Sequence, residues 1–354
     1  VSESVDLFSQ QEANRRRSRW LVGGFILFFA WLGFGGDFIY YLYTRSAPPG
    51  AYHHVFPAFG FLLTIIGVGI AGYAWITGPE KVLWSTGAHE LLDPTTPAEL
   101  QLRNVVEEMS IAAGIPRPRI WIIPDPDPNA LATGRDEHRA SIAVTEGLLS
   151  VCTRDELQAV IAHEMGHIKN LDVQLMTLLA AMVGAVALMA DGAGRVVRLN
   201  VRVGGGGGGR SRGRGGGGGG GGGPLVLILL ALWLLSWILA PIITRLLALG
   251  VSRKREYLAD AMSAQFTRNP MALATALEKI RDASAPTKSI KSGAAHLCIA
   301  DPLGRRVNGK EGIFAELLGT HPPMALRIAR LKAMAYQETK AAGRVVAVTE
   351  GAAG

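Results

Sequence analysis

Cysteine is nearly absent from this chain: two of 354 residues, Cys152 and Cys298. That excludes a disulfide-stapled scaffold and a thiolate metal site, which needs several cysteines at short spacing. Both fall in a region expected on the cytoplasmic side, where thiols stay reduced. Charge is also scarce. Only 18% of residues are Asp, Glu, Lys or Arg, against roughly 25% in soluble domains, and mean hydropathy is +0.23. An ordinary soluble globule is thereby disfavoured. No internal repeat is present, which excludes a solenoid.

Apolar runs take the place of the missing charge. Trp20–Tyr43 is long enough to span a bilayer, follows Arg15, Arg16, Arg17 and Arg19, and ends in interfacial Tyr40, Tyr41 and Tyr43. It is too long, and too aromatic at its exit, for a cleaved leader, so it reads as a signal anchor. A second run, about Val55–Ile76, pairs with it across a loop containing Pro48, Pro49 and Gly50. A third covers Val173–Ala190, and a fourth starts at Pro224 and ends near Gly250, broken by Pro241 and carrying Arg245. The fold expected is an α-rich integral membrane protein with an α/β domain outside the bilayer and about four transmembrane helices. The segments are a basic tail at 1–19, a first hairpin at 20–77, polar regions at 78–172 and 251–336, a second hairpin at 173–250 and a loose tail at 337–354.

The N-terminal arginines place the N-terminus in the cytoplasm, and two crossings return the chain there near Gly78. Arg253, Lys254 and Arg255 agree with that side. The loop at 191–223 does not: with four spans it lies outside, yet it holds Arg195, Arg198, Arg202, Arg210, Arg212 and Arg214. The alternative is that runs three and four are re-entrant or surface-bound; four spans is the preferred reading. The poly-Gly stretches in this loop behave as flexible coil and read as a tether. The excess of 36 basic over 29 acidic residues points to an anionic lipid surface as partner, with no nucleic acid expected.

The chemistry lies in His163-Glu164-Met165-Gly166-His167. On a helix, His163 and His167 share a face at i, i+4 and can grip one metal ion, while Glu164 reaches a water beside it. The helix has a proper start: Thr153 and Glu156 form a capping box, and Leu157, Val160, Ile161 and Met165 follow at helical spacing. Two histidines need a third ligand. Glu256, with Asp260 one turn on, is the best candidate, although taken alone these residues read better as a solvated acidic pair after three basic residues. His53, His54, His89, His138 and His296 have no partner at metal spacing. Before the motif, Pro97 to about Ala113 reads as helix, and Arg119–Ile123 and Ser141–Val144 as strands.

Several ordered pieces together resemble the membrane-bound M48 zinc metallopeptidases, above all the HtpX-like group, with Ste24 CAAX proteases more distant. They are Asn104–Met109, Asn129–Gly134, His163–His167, Ser252–Asp260, and Thr320-His321-Pro322-Pro323 with Arg327-Ile328. The resemblance runs from about Pro79 to Leu331. It implies a gluzincin-like site with one zinc per chain on His163, His167 and Glu256, and Glu164 as general base. It also implies an edge strand at Asn129–Gly134 whose Asn129, Ala130, Leu131 and Ala132 align the substrate peptide. Asp260 is expected to hold a ligand histidine. His321 is a candidate second electrophile, or equally a packing or capping residue. The function implied is quality-control cleavage of misfolded or damaged membrane proteins in the bacterial inner membrane, with the site facing the cytoplasm. CAAX-type prenyl-protein cleavage and a zinc-binding scaffold or chaperone are the alternatives. Oligomeric state is left open.

Overall fold

The structure is a computed structural model that describes residues 7–182, 253–283, 297–300 and 322–351, with residues 231, 233, 235 and 289. The chain divides into two compact units, one of 1–18, 77–180 and 247–354, the other of 19–76 and 181–246.

The second unit contains a helical hairpin. Helix α1 spans Leu7–Thr44 and α2 spans Ala58–Ser85. Both are long and apolar enough to cross a membrane, and only 22% of each apolar stretch is buried. Core helices of a soluble protein would be mostly covered. Trp20, Leu27, Phe61, Ile65 and Ile76 instead face outward, as a hydrocarbon solvent allows. α1 starts well before the apolar run, because the Gln-, Glu- and Arg-rich tail is itself made of helix formers. α2 likewise overruns the second apolar stretch, continuing through Pro79.

Glycine sets the closeness of the pair: a Cβ on Gly33 would lie 2.5 Å from the Phe59 carbonyl oxygen. Asp37, a buried acid within the apolar stretch, closes the hairpin. Its Oδ2 accepts from Gly60 N–H at 2.6 Å and its Oδ1 pairs with His54 Nε2 at 2.7 Å. It thus serves orphan N–H groups at the start of α2. His54 therefore has a structural partner that residue spacing did not indicate.

The first unit carries a four-stranded sheet, β1 (His89–Glu90), β2 (Arg119–Ile123), β3 (Ala130–Gly134) and β4 (Ala140–Thr145), in the order β1-β2-β4-β3. The β2–β4 pair is parallel and the others antiparallel, so β3 lies at one edge. Helix α3 (Pro97–Ala113) starts on a Thr96–Glu99 capping box with Pro97 in its first turn and stops at Gly114, φ 67°. Its Leu102, Val105, Val106 and Met109 pack into one core with Ile120 and Ile122 of β2 and Ile142 and Val144 of β4. Each such buried side chain contributes about 1.5–3 kcal/mol.

After the short helix α4 (Glu146–Val151) comes α5 (Arg154–Lys169), whose Thr153–Glu156 capping box is formed. α5 is buried on nearly all sides and packs on α3, on the sheet, and on two later helices: α7 (Arg253–Thr267) and α8 (Pro270–Asp282). Between α5 and α7 a helix α6 covers Asp172–Met182. Its Val173 belongs to the peptidase-unit core. The rest of the third apolar run, nearly all of the fourth, and the Gly/Arg loop lie outside the described residues. The final helix, α9, runs Met324–Gly351. A loose tail was expected from 337 onward. The Ala, Glu, Lys and Gln there have high helix propensity and extend α9 instead.

Candidate metal centre

α5 presents the motif. His163 and Glu164 are buried and His167 is partly so. One turn apart, the histidines bring their Nε2 atoms to 3.2 Å of each other. α7 crosses α5 and adds Glu256 from its first turn. Glu256 Oε2 lies 3.6 Å from His163 Nε2, and Oε1 lies 3.6 Å from His167 Nε2. Nitrogen and oxygen donors at 2.0–2.2 Å from a tetrahedral ion would be roughly 3.3–3.6 Å apart. With one atom taken from each residue the donors lie within 4.8 Å of one another, so the group could hold one small divalent ion, and among the described residues this is the group of three His or acidic ligands that meets around a point.

The other ring nitrogens fix the tautomers. His163 Nδ1 donates to Asp260 Oδ1 at 3.0 Å, and His167 Nδ1 donates to Asp172 Oδ2 at 3.2 Å. Each ring thereby turns its Nε2 toward the common point. Asp260 is the acceptor expected from the sequence. Asp172 is an additional one, and it is anchored in turn by Asn14, whose Nδ2 donates to its Oδ1 at 2.8 Å.

Arg327, from the first turn of α9, is fully buried against this set. Its Nη2 and Nε donate to the two Asp260 oxygens at 2.6 and 2.9 Å. Nη1 lies 3.1 Å from Glu256 Oε2 and donates to the Ile299 carbonyl at 2.8 Å. The sequence offered Arg327 only as part of a resemblance, with no role; its buried ion pairs assign it one, as the clamp on Asp260 and Glu256.

Charges shift accordingly. Burial pushes the Glu164 carboxyl up to about 8, with His167 opposing and Glu256 adding to the rise. Burial works against a charged His167, yet its hydrogen bond to Asp172 and the nearby Glu256 hold its pKa up to about 9. Burial pulls His163 below its usual value despite Asp260. Asp260 sits below the carboxylate range: burial opposes its charge, and Arg327 and His163 overcome that. A dication at the cluster favours ionised Glu164 and neutral imidazoles.

The edge strand differs from expectation in one respect. Asn129–Gly134 lies at the sheet edge, fed by the Pro-rich loop that packs on Gly147, where a Cβ would meet the Pro126 carbonyl oxygen. Part of that edge is covered by the chain itself. Ile299 N–H donates to Ala130 O at 2.9 Å, and Leu131 bridges antiparallel to Cys298. Asn129 Nδ2 donates to Ala300 O at 3.1 Å. A buried edge requires such partners. Asn129, Ala130 and Leu131 therefore hold the segment 297–300, whereas Ala132 lines the cleft beside Glu164 and His167. That cleft is open on one side and is bounded further by Val173, Met176, Arg255 and Leu297. His321 lies outside the described residues.

The profile of peptidase family M48 matches residues 97–335. The chain is 37% identical over 328 residues to a protease HtpX homolog of Streptococcus pneumoniae (strain Hungary19A-6), covering 93% of this chain and 100% of the relative. A protease HtpX homolog of strain Taiwan19F-14 is 36% identical over the same shares. The crystal structure of S. mikatae Ste24p is similar at a TM-score of 0.42 and 20% identity, across 93% of this chain and 67% of that one. The chain belongs to peptidase family M48, among its HtpX-like membrane-bound proteases.

Proposed function

We propose that this protein is a zinc-dependent endopeptidase of the bacterial inner membrane that cuts unfolded or misfolded membrane proteins on the cytoplasmic face. The observation that carries the reading is Glu164. Both of its carboxylate oxygens are buried and make no hydrogen bond of ordinary length, although the Ala132 backbone lies near enough to favour their charge; they sit at the wall of a cleft shared with two of the three clustered metal donors. A buried carboxylate left unsatisfied costs stability unless a ligand or water completes it.

His163, His167 and Glu256 would hold the zinc, with Asp260 and Asp172 orienting the two rings. Zinc bound there supplies Lewis acidity, lowering the pKa of water from about 15.7 toward 7 and polarising a carbonyl. Glu164 accepts the proton of a water in the cleft and delivers it to the leaving amine. Its burial suits it to hold that proton between the two steps. Ala132, on the strand edge, offers backbone groups to an extended peptide, so recognition depends on unfolded chain more than on sequence. His321 is kept as a candidate second electrophile on sequence grounds.

Two membrane helices are described; residues 173–250 are proposed to add two more crossings. His163 and Glu256 can serve one ion only if the chain crosses an even number of times between them. Residues 78–172 and 251–336 then form one catalytic domain on the side of the N-terminal arginines.

The test is cleavage of an unfolded model protein by the detergent-purified full chain, wild type beside Glu164→Gln, with zinc assayed on both. Expected is equal zinc and a loss of at least about 100-fold in kcat for the variant. Retained proteolysis at equal zinc would overturn Glu164 as the base.

A further inference from the structure

Two arginines flank the metal centre, and they differ in what they bond. Arg327 is saturated by protein acceptors. Arg255, one residue before Glu256, is 6% exposed, yet none of its three guanidinium nitrogens makes a hydrogen bond. Its nearest anion is Asp172, with Nε 3.4 Å from Oδ1. That is an ion pair beyond good hydrogen-bond range. Asp172 is already committed: Oδ1 accepts from Asn14 and Oδ2 from His167. Arg255 is therefore a rigid fork of five donors held at the cleft wall with its donors unspent. Arg17 adds positive charge on the same side, and a buried cation so placed favours an incoming anion over a neutral group.

We propose that Arg255 is a specificity residue: it receives a carboxylate of the peptide bound in the cleft. The inference rests on the peptidase reading above and adds a substrate preference to it. Planar, acceptor-only and singly charged, a carboxylate matches the guanidinium fork in a bidentate pair. Two sources carry that group, the α-carboxylate at a peptide's C-terminus and the side chain of Asp or Glu. The apolar cleft neighbours Val173 and Met176 would pack the rest of the residue that bears it.

The experiment measures binding of fluorescent peptides to full-length, zinc-loaded Glu164→Gln protein in detergent. One peptide pair differs by an internal Glu against Gln, the other by a C-terminal acid against amide. The expected result is that the carboxylate member of one pair binds roughly tenfold to a hundredfold more tightly, as a charge-assisted bidentate contact allows. The pair showing it identifies the source. Adding Arg255→Met should bring that ratio to about one, and Arg255→Lys should restore only part of it, because a point charge lacks the fork. Zinc content of each variant separates a lost contact from a lost site. A ratio near one for both pairs in the Glu164→Gln parent overturns the proposal without any Arg255 variant having to fold. A ratio that survives Arg255→Met at full zinc overturns it as well. Peptides that bind and are cut by wild type with no carboxylate preference would leave the peptidase reading standing and sink this one alone. Failure of every peptide to bind or be cut would sink both.

Discussion

The two sides of the candidate metal centre occupy the same buried environment and are built to opposite rules. On one side Arg327 donates to both oxygens of Asp260 and lies 3.1 Å from Glu256 Oε2, and Asp260 accepts from His163 Nδ1. On the other side Glu164 and Arg255 are just as hidden, and the side-chain polar atoms of neither make a hydrogen bond of ordinary length. Leaving a buried polar group unmade costs about 1–3 kcal/mol, more when charged. Folding alone has no reason to tolerate that cost twice within one cleft. The difference fits the two roles proposed above: the satisfied side would fix where donors point, and the unsatisfied side would receive groups that arrive with water and substrate.

Breaking the satisfied side should have the larger effect. Arg327→Met removes a fully buried cation and strands Asp260 and Glu256. The expected loss is about 3–5 kcal/mol in the metal-free protein. It is read by chemical denaturation in detergent, and metal should recover part of it, since a dication replaces the missing positive charge. Stability that is unchanged without metal would mean that the network is not held by Arg327.

Asp172→Asn acts more gently, through the second histidine, His167. Ring-orienting partners of this kind are worth about 10–100-fold in metal affinity. The pH dependence has a definite sign. In the metal-free protein His167 holds its proton up to about 9, burial opposing and Asp172 with Glu256 prevailing. Metal must displace that proton, so uptake strengthens as pH rises toward 9. Replacing Asp172 lets His167 deprotonate at lower pH. The uptake curve should then shift to lower pH even as its high-pH plateau falls, and competition with a chromophoric chelator reports both.

Some of this was legible in the sequence for identifiable reasons. The starts of α3 and α5 are written locally, in Thr96–Glu99 and Thr153–Glu156 capping boxes that need only four residues to specify them. The meeting of His163 with His167 follows from helical pitch. Their meeting with Glu256, some ninety positions away, came from resemblance and not from pitch, because a long-range contact leaves no period. For the same reason Arg327, 67 positions from Asp260, gave no signal of its own. Arg255 was in view only as a positive-inside marker, and Asp172 was given no role. Only burial shows that neither is solvated. The segment 297–300 pairs with β3 through a single backbone bridge, too short for an alternating pattern to announce it.

The smallest expected effect is at the contact that sets the spacing of the two ligand-bearing helices. Gly166 lies in α5 between the ligand histidines, and a Cβ built on it would sit 3.3 Å from Ala259 Cα and 3.4 Å from Met262 Cβ, both on α7. α7 also carries Glu256 and Asp260, so a shift of a few tenths of an ångström at Gly166 moves two members of the centre together. Gly166→Ala has an opposing benefit, since Ala is favoured over Gly inside a helix by about 1 kcal/mol. Denaturation should therefore find stability within about 1 kcal/mol of wild type, while metal affinity falls a few-fold, a fraction of the loss expected for Asp172→Asn. If affinity holds and stability rises, α7 yields without moving its ligands, and the centre's precision resides in its ion pairs and not in helix spacing. A fall in affinity at unchanged stability places that precision in the backbone, where the donor triangle is set before any side chain is oriented.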